Sequence, residues 1–242
     1  MMNKMAILII LVSMMFFSLA SMAVGAEGRG GVLGSKRRAL VPIAAFTATG
    51  DLEGLKTSLS EGLEAGLTVN EIKEVLVQMY AYCGFPRSLN AINTFMDLTE
   101  ERAARGISDE MGPEAGPLPT AKSRERYGHE VRSTLVGGEF PPSGYALFVP
   151  VIDTFLKEHL FADIFLRDNL DYRSREIATV SALAALDVPA QLRSHLNICL
   201  NIGMSPEELE DLVSVLRDKV SSDQAERAAA VLRQVVESRA DR

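Results

Sequence analysis

Two stretches of the sequence share one pattern at an offset of 137 residues: 55–76, LKTSLSEGLEAGLTVNEIKEVL, and 192–213, LRSHLNICLNIGMSPEELEDLV. Each begins with three leucines spaced four residues apart, namely Leu55, Leu59 and Leu63 in the first stretch and Leu192, Leu196 and Leu200 in the second. Apolar residues at this spacing lie on one face of an amphipathic helix. The sequence therefore predicts two copies of one helical unit.

The residues that follow the leucines predict where the helices end and begin. Gly66 and Gly203 stand where the leucine helix should stop, because glycine readily adopts the left-handed conformation of a helix C-cap. Residues 68–71 and 205–208 have the form of a capping box, with Thr or Ser at the N-cap and Glu three positions later. Pro206 occupies the first helical position, where its missing N–H costs nothing. Both copies thus predict a helix, a glycine stop and a capped helix.

The rest of the chain is also predicted to be helical, because no segment shows sustained apolar–polar alternation or a hairpin turn. The further helical segments are residues 37–48, 86–105, 174–186 and 222–239, with one or two helices over 145–168 and a loop over 136–144. We therefore predict an all-α fold of two tandem units. The predicted first repeat covers residues 36–105, a linker covers 106–119, and the second repeat covers 120–239.

The N-terminus has the features of a secretory signal peptide. Lys4 precedes the apolar residues 6–17, and small residues follow as far as Ala26, after which we predict cleavage. The alternative is an uncleaved membrane anchor, but the apolar stretch is shorter than the ~20 residues of a spanning helix. We expect an exported protein, periplasmic or extracellular, with no membrane span after cleavage.

Composition excludes some functions. The net charge of −7 and the absence of a basic stripe argue against nucleic acid as a partner. No glycine-rich phosphate motif and no metal-ligand spacing is present, so we predict neither a cofactor nor a metal. The chain has two cysteines, Cys83 and Cys199. Export would permit a disulfide between them, but we expect both to be free.

Cys83 lies in the string Tyr82-Cys-Gly-Phe-Pro86, which follows the first capped helix. Gly84 and Pro86 should end that helix and start another. The N–H groups of the new helix would favour an anion and would lower the pKa of a thiol that faces them. The alternative is that Cys83 is a small core residue at a turn.

Residues 66–75 together with residues 82–86 resemble the signature of the carboxymuconolactone decarboxylase family. A second set of strings is similar to the family's N-terminal half: Arg126-Tyr-Gly128, residues 130–132, Gly137, residues 170–176, residues 192–195 and residues 201–203. The resemblance implies helical units, a cofactor-free lyase acting on a small carboxylated lactone, and a homo-oligomer, plausibly a trimer of two-unit chains.

The same superfamily includes alkyl hydroperoxidase D-like disulfide reductases, whose motif is Glu, eleven residues, Cys, two residues, Cys, three residues, His. In this chain Glu71 and Cys83 keep the first spacing, but Pro86 stands at the second cysteine and Asn90 at the histidine. A dithiol reductase needs two thiols that can form a disulfide. This departure disfavours that chemistry unless Cys83 pairs with Cys199.

The second copy lacks the thiol, because Val220 occupies the position equivalent to Cys83. It carries His195 where the first copy has Ser58, and His195 matches the histidine of the decarboxylase pattern. His195 could equally be a hydrogen-bonded residue at a helix contact. We interpret His129 and His159 as surface or structural residues.

The catalytic candidates are therefore Cys83, Glu71 and His195, with Arg87 as the candidate for binding a substrate carboxylate. Decarboxylation leaves a carbanion, so Glu71 or His195 would serve as the acid/base and a cation would hold the anion. Two alternatives remain. Cys83 could make the protein an exported thiol-dependent peroxidase, or the chain could be a binding module without catalysis.

Overall fold

The computed structural model describes residues 32–240, so the predicted signal peptide lies outside the described residues. This part of the chain is all-α, and it contains eleven α-helices, one π-helix and no strand. The helices are α1 (Gly34–Thr49), α2 (Leu52–Glu64), α3 (Val69–Cys83), α4 (Phe85–Ala104), α5 (Arg124–Val136), α6 (Tyr145–Phe148), α7 (Pro150–Phe155), the π-helix (Leu156–Ile164), α8 (Tyr172–Ala185), α9 (Pro189–Asn201), α10 (Pro206–Lys219) and α11 (Ser222–Ala240).

The internal repeat is confirmed. Helices α1 to α4 correspond in order to α8 to α11, and the first and last residues of α2 and α9 are related by the same 137-residue offset as the sequence pattern. We call α1–α4 unit one and α8–α11 unit two. The helical segments predicted from the sequence lie at these positions.

The predicted glycine stops and capping boxes are both present. Gly66 and Gly203 have φ angles of 91° and 84°, in the left-handed region that favours glycine. After each glycine the chain closes the helix with an equivalent hydrogen bond: Leu67 N donates to Gly62 O at 2.9 Å, and Met204 N donates to Cys199 O at 3.0 Å. The Thr68–Glu71 and Ser205–Glu208 boxes make both of their reciprocal hydrogen bonds.

The two units exchange contacts across one core. Helices α1 and α8 pack against each other at its centre, and each also contacts the capped helix of the other unit, α10 or α3. Two ion pairs follow the same exchange. Arg175 of unit two binds Glu74 of unit one at 2.8 Å, and Arg38 of unit one binds Asp211 of unit two. The units therefore form one body in which each supplies a counter-ion to the other.

Residues 124–165 form a subsidiary layer, in which α5 and the π-helix pack together and α5 contacts α9. A small apolar cluster holds this layer together, and it includes Val131, Leu135, Leu160, Phe161 and Phe165. The predicted one or two helices over 145–168 are two short α-helices followed by the π-helix. Val149, whose backbone is not helical (φ −132°, ψ 79°), separates α6 from α7 because it precedes Pro150.

The π-helix lies beside the candidate site described next, as π-helical turns often do. Among residues 32–240, no helix has the length and hydropathy needed to cross a membrane.

Candidate functional site

A cavity of about 730 Å³ lies where unit two, the C-terminal end of α3 and the 124–165 layer meet. Its walls are largely apolar, and a few polar side chains project into it. The lining includes Ala81, Tyr82, Arg132, Val136, Phe140, Tyr145, Leu156, Leu160, Phe161, Leu183, Gln191, Ser194, His195, Asn197, Ile198 and Asn201. A concave apolar site with few polar groups is the usual form of a small-molecule site.

His195 is an imidazole in the cavity lining that contacts a buried carboxylate. Its Nδ1 lies 2.8 Å from Oε2 of Glu176, which is fully buried on α8. A carboxylate can only accept hydrogen bonds, so Nδ1 carries the proton in this pair and Nε2 is left as the free ring nitrogen. Nε2 makes no hydrogen bond to any residue between 32 and 240. The pair thus has the form of a histidine base oriented by a carboxylate.

Tyr82 of unit one completes this part of the site. Its ring meets the His195 ring edge-on, with centroids 5.7 Å apart. Burial, and to a lesser extent the charge of Glu176, raises the pKa of Tyr82, so the hydroxyl stays protonated at neutral pH. Within the described residues, neither the Tyr82 hydroxyl nor Oε1 of Glu176 has a hydrogen-bond partner. Buried polar atoms of this kind are uncommon in native proteins.

Arg132 is the cation of the cavity, and it comes from the 124–165 layer. Its Nη1 donates to Asp153 at 2.7 Å, its Nη2 donates to the Tyr145 hydroxyl at 3.2 Å, and its guanidinium lies 3.9 Å from the Phe140 ring centroid. Lys157 also contacts Asp153, at 2.7 Å.

Asp153 is shared between these two cations. Burial alone would raise the pKa of Asp153, but hydrogen bonds from Lys157 and Arg132 outweigh burial and lower it. Lys157 also lies 3.5 Å from Glu125, so the two cations of this cluster are matched by two carboxylates.

Of the predicted site residues, only His195 lines this cavity. Glu71 lies at the opposite end of α3 from Cys83, about 18 Å along the helix axis at 1.5 Å per residue. There Glu71 closes the capping box by accepting from Thr68 N at 2.7 Å, and it also binds Lys36 at 3.0 Å. In unit two, Glu208 makes the same cap and binds Arg173. The structure therefore gives Glu71 a structural role and does not bring it near His195.

Cys83 ends α3 beside the cavity without being part of its lining. Its Sγ lies 3.1 Å from the Met79 carbonyl oxygen, to which it donates. Burial raises the pKa of Cys83, and the opposing effect of Arg87 is smaller. Arg87 itself donates to the Ala48 carbonyl oxygen, so its charge is directed toward the C-terminal end of α1. Cys83 and Cys199 are both free, as expected.

The structure adds Glu176, Tyr82 and Arg132 to the site, which the sequence did not single out as candidates. A signal for Glu176 was present, because Arg175 and Glu176 are adjacent charges in an Ala-rich helix that has no charged residue after them. Two charges in such a segment must be paired or functional. Tyr82 and Arg132 lie in strings that resemble the family, residues 82–86 and 130–132, but neither was named as a candidate. Within residues 32–240, no three His, Cys, Asp or Glu side chains group closely enough to hold a metal ion.

Comparison with known proteins agrees with this architecture. The profile of the carboxymuconolactone decarboxylase family matches residues 16–95 and again residues 150–234, so it covers more than half of the chain in two separate copies. The 4-carboxymuconolactone decarboxylase of Acinetobacter baylyi is 26% identical over 95 residues, which are 38% of this chain and 71% of that protein. The chain therefore belongs to the carboxymuconolactone decarboxylase family, in a form that carries two family units.

Proposed function

We propose that this protein is a cofactor-free acid/base enzyme of the lyase type, which acts on a small carboxylated lactone or a related acid in the cavity around His195. The observation that carries the proposal is the 2.8 Å contact between His195 Nδ1 and the fully buried Glu176. A carboxylate placed in this way orients the imidazole and fixes which ring nitrogen faces the cavity. Family membership supports the reaction class.

The reaction would proceed by loss of carboxylate as CO₂ from the ring carbon that the C=C bond joins to the lactone's carbonyl group. The electron pair of the broken C–C bond passes through this C=C bond to the carbonyl oxygen, which gives a dienolate. His195, protonated on both nitrogens, donates its Nε2 proton to the carbon next to the carbonyl group and returns to the neutral form, in which Nδ1 still donates a hydrogen bond to Glu176. General acid catalysis of this kind contributes typically about 10²–10⁴-fold to the rate.

The other polar groups of the cavity would bind the substrate. Arg132 lines the cavity and would place its guanidinium beside a substrate carboxylate. The Tyr82 ring, which lines the cavity beside His195, would pack against the substrate. Leu156, Leu160 and Phe161 would exclude water from the ring of the substrate.

The thiol-dependent alternative is less well supported by the geometry. A peroxidase thiol needs a low pKa, whereas burial raises the pKa of Cys83. The other cysteine, Cys199, is fully buried and its pKa is raised further. A non-catalytic binding role would keep the cavity but make no use of the His195–Glu176 pair.

The test is the loss of ultraviolet absorbance of 4-carboxymuconolactone with the purified protein, the Glu176→Gln variant and the Cys83→Ser variant. We expect turnover by the wild type, a loss of about 10-fold or more in Glu176→Gln because the imidazolium loses its counter-charge, and unchanged turnover in Cys83→Ser. No turnover by the wild type would refute this substrate. Loss of activity in Cys83→Ser alone would favour the thiol alternative.

We also infer that the chain is exported and cleaved after Ala26, on the strength of the N-terminal sequence. Edman sequencing of the mature protein from the producing cell should begin at Glu27. A mature protein that retains Met1 would contradict this proposal.

A further inference from the structure

A set of buried polar side chains lies where α3 and α8 pack together, next to the His195 site. Gln78 and Tyr82 are one turn apart on α3. Arg175 and Thr179 are one turn apart on α8, which contacts α3. Gln78, Arg175 and Thr179 are fully buried. Polar groups in such a place must find their hydrogen-bond partners within the protein.

The arginine of this set fixes the direction of its hydrogen bonds. Arg175 can only donate, so Oε1 of Gln78 is the atom that accepts from its Nη1, at 3.1 Å. Nε2 of Gln78 therefore donates, to Thr179 Oγ1 at 3.0 Å and to the Arg175 carbonyl oxygen at 2.9 Å. Because Thr179 Oγ1 accepts from Gln78, its own proton is left for a further acceptor.

The Tyr82 hydroxyl lies next to Thr179 and Glu176. Both residues are close enough to change the pKa of Tyr82, which Glu176 raises and Thr179 lowers. The Tyr82 ring is held beside His195, whose Nδ1 lies 2.8 Å from Oε2 of Glu176. Among residues 32–240, neither Oε1 of Glu176 nor the Tyr82 hydroxyl has a hydrogen-bond partner, and both atoms are buried. A buried donor and a buried acceptor in one place gain most by pairing with each other.

We propose that Tyr82 is a positioning residue of the His195 site, whose hydroxyl accepts from Thr179 and donates to Oε1 of Glu176. The hydrogen bonds then run in one direction, from Gln78 to the carboxylate. A donor on Oε1 spreads the negative charge of the carboxylate and makes it a weaker acceptor for the imidazole proton. Tyr82 therefore lowers the proton affinity of the His195–Glu176 pair.

This effect suits an imidazolium that must release a proton to the substrate. Its use in catalysis rests on the proposed function, because a general acid works best when its proton affinity is matched to the pH at which the enzyme acts. The effect on proton binding itself needs no turnover, so the two can be tested separately.

Other charged and titratable groups also surround the pair in the described part of the chain. Tyr82 and Cys199 both have a raised pKa, so both stay neutral near pH 7. The others are arginines, which stay charged: Arg173 and Arg175 on α8, Arg132 of the 124–165 layer, and Arg239 on α11, which contacts Asn197 of α9. A change in titration between about pH 5 and 8 can therefore be assigned to the pair.

The experiment is an NMR titration of the histidine ring signals in the wild type, Tyr82→Phe and Tyr80→Phe. The chain has three histidines, so the His195 signal is identified by its loss in His195→Gln. Tyr80→Phe is the matched control. Tyr80 lies on the same helix and its hydroxyl is likewise buried and unpaired within residues 32–240, but its ring faces His159, at 5.5 Å.

We expect the midpoint of the His195 titration to rise by about 0.5–1 pH unit in Tyr82→Phe, because a hydrogen bond to a charged group is lost. Tyr80→Phe should leave the midpoint unchanged. Thr179→Val should raise it by less, since it removes the donor to the Tyr82 oxygen, and it replaces Tyr82→Phe if that variant does not fold.

Two results would overturn the proposal. One is a midpoint that does not rise in Tyr82→Phe, or in Thr179→Val where Tyr82→Phe does not fold. The other is an equal rise in Tyr80→Phe, which would show a general effect of losing a hydroxyl from α3. A raised midpoint in a protein that does not turn over 4-carboxymuconolactone would refute the proposed reaction and leave the role of Tyr82 intact.

Discussion

The two units have the same helices and caps but different side chains at the positions of Glu176 and His195. Helices α2 and α9 share their bounds at the 137-residue offset, and both units use a glycine stop and a capping box. At the positions equivalent to Glu176 and His195, however, unit one has Ala39 and Ser58. The arrangement of helices depends on caps and apolar spacing, which many sequences satisfy, so two duplicated units can keep their fold while only one carries the His–Glu pair.

The two ion pairs between the units differ in how deeply they are buried. Glu74 and Arg175 are both fully buried, and Gln78 adds further hydrogen bonds to this pair. In the equivalent pair, 30% of the Arg38 side chain and 11% of the Asp211 side chain are exposed. The more deeply buried pair is thus the one that involves α8, the helix that carries Glu176.

Replacing His195 should reveal the largest difference between the two units. His195→Ala should lower kcat by about 10²–10⁴-fold, because the general acid is lost. Ser58→Ala, the equivalent change in unit one, should leave kcat within experimental error. The measurement is turnover of 4-carboxymuconolactone by both variants. Equal effects of the two substitutions would show that the site is not confined to the cavity of unit two.

Breaking the two ion pairs should give the next largest difference. Glu74→Ala leaves Arg175 charged and without its carboxylate in the core, and removing one partner of such a pair costs about 3–5 kcal/mol. Asp211→Ala should cost about 1 kcal/mol, because the partly exposed Arg38 can be hydrated.

Urea unfolding followed by circular dichroism measures both changes. If Glu74→Ala does not fold, Glu74→Gln provides a milder variant. Equal losses in the two units would contradict the distinction drawn from burial.

The capping boxes should respond alike. Thr68→Ala and Ser205→Ala each remove the side-chain acceptor of an N-cap, which costs about 1 kcal/mol. Each loss should appear as a lower free energy of unfolding in urea. Two similar values would support equivalent roles of the caps, whereas a negligible effect in either unit would show that its cap is dispensable.

The smallest expected effect is the slow alkylation of the two cysteines at neutral pH. Because burial raises the pKa of Cys83, little thiolate forms at pH 7 and alkylation by iodoacetamide should be slow. The reaction should accelerate only when the pH rises above the pKa of an ordinary thiol. Cys199, which is fully buried, should be alkylated only on unfolding. Mass spectrometry over time at pH 7 and pH 10 measures both. Rapid alkylation of Cys83 at pH 7 would revive the thiol alternative.

The fold was predicted well because the patterns that indicate it involve residues close together in the sequence. The leucine spacing, the two glycine stops and the two capping boxes involve residues within one or two helical turns, and all of them occur as predicted. The site was predicted only in part. His195 was chosen for its position in the family pattern, and the structure confirms that it lines a cavity.

Glu71 shows how one residue can fit two sequence patterns. Its spacing to Cys83 matches a redox motif, but the same Glu is also the third residue of a capping box, and in the structure it makes that cap. The sequence cannot rank these two roles, because the choice depends on which side chains the folded chain places beside Glu71. Cys83 and Arg87 likewise turn to backbone carbonyl oxygens.

The sequence by itself determined the all-α class, the repeat, and the position of each glycine stop and cap, because these follow from hydrogen bonds and apolar spacing within short segments. Only the tertiary structure decided which side chains meet. Tyr82 from α3, Glu176 from α8, His195 from α9 and Arg132 from the 124–165 layer converge because α1 and α8 pack at the centre and the layer closes over α9. Contacts between residues so distant in sequence are set by packing, and no short pattern encodes them.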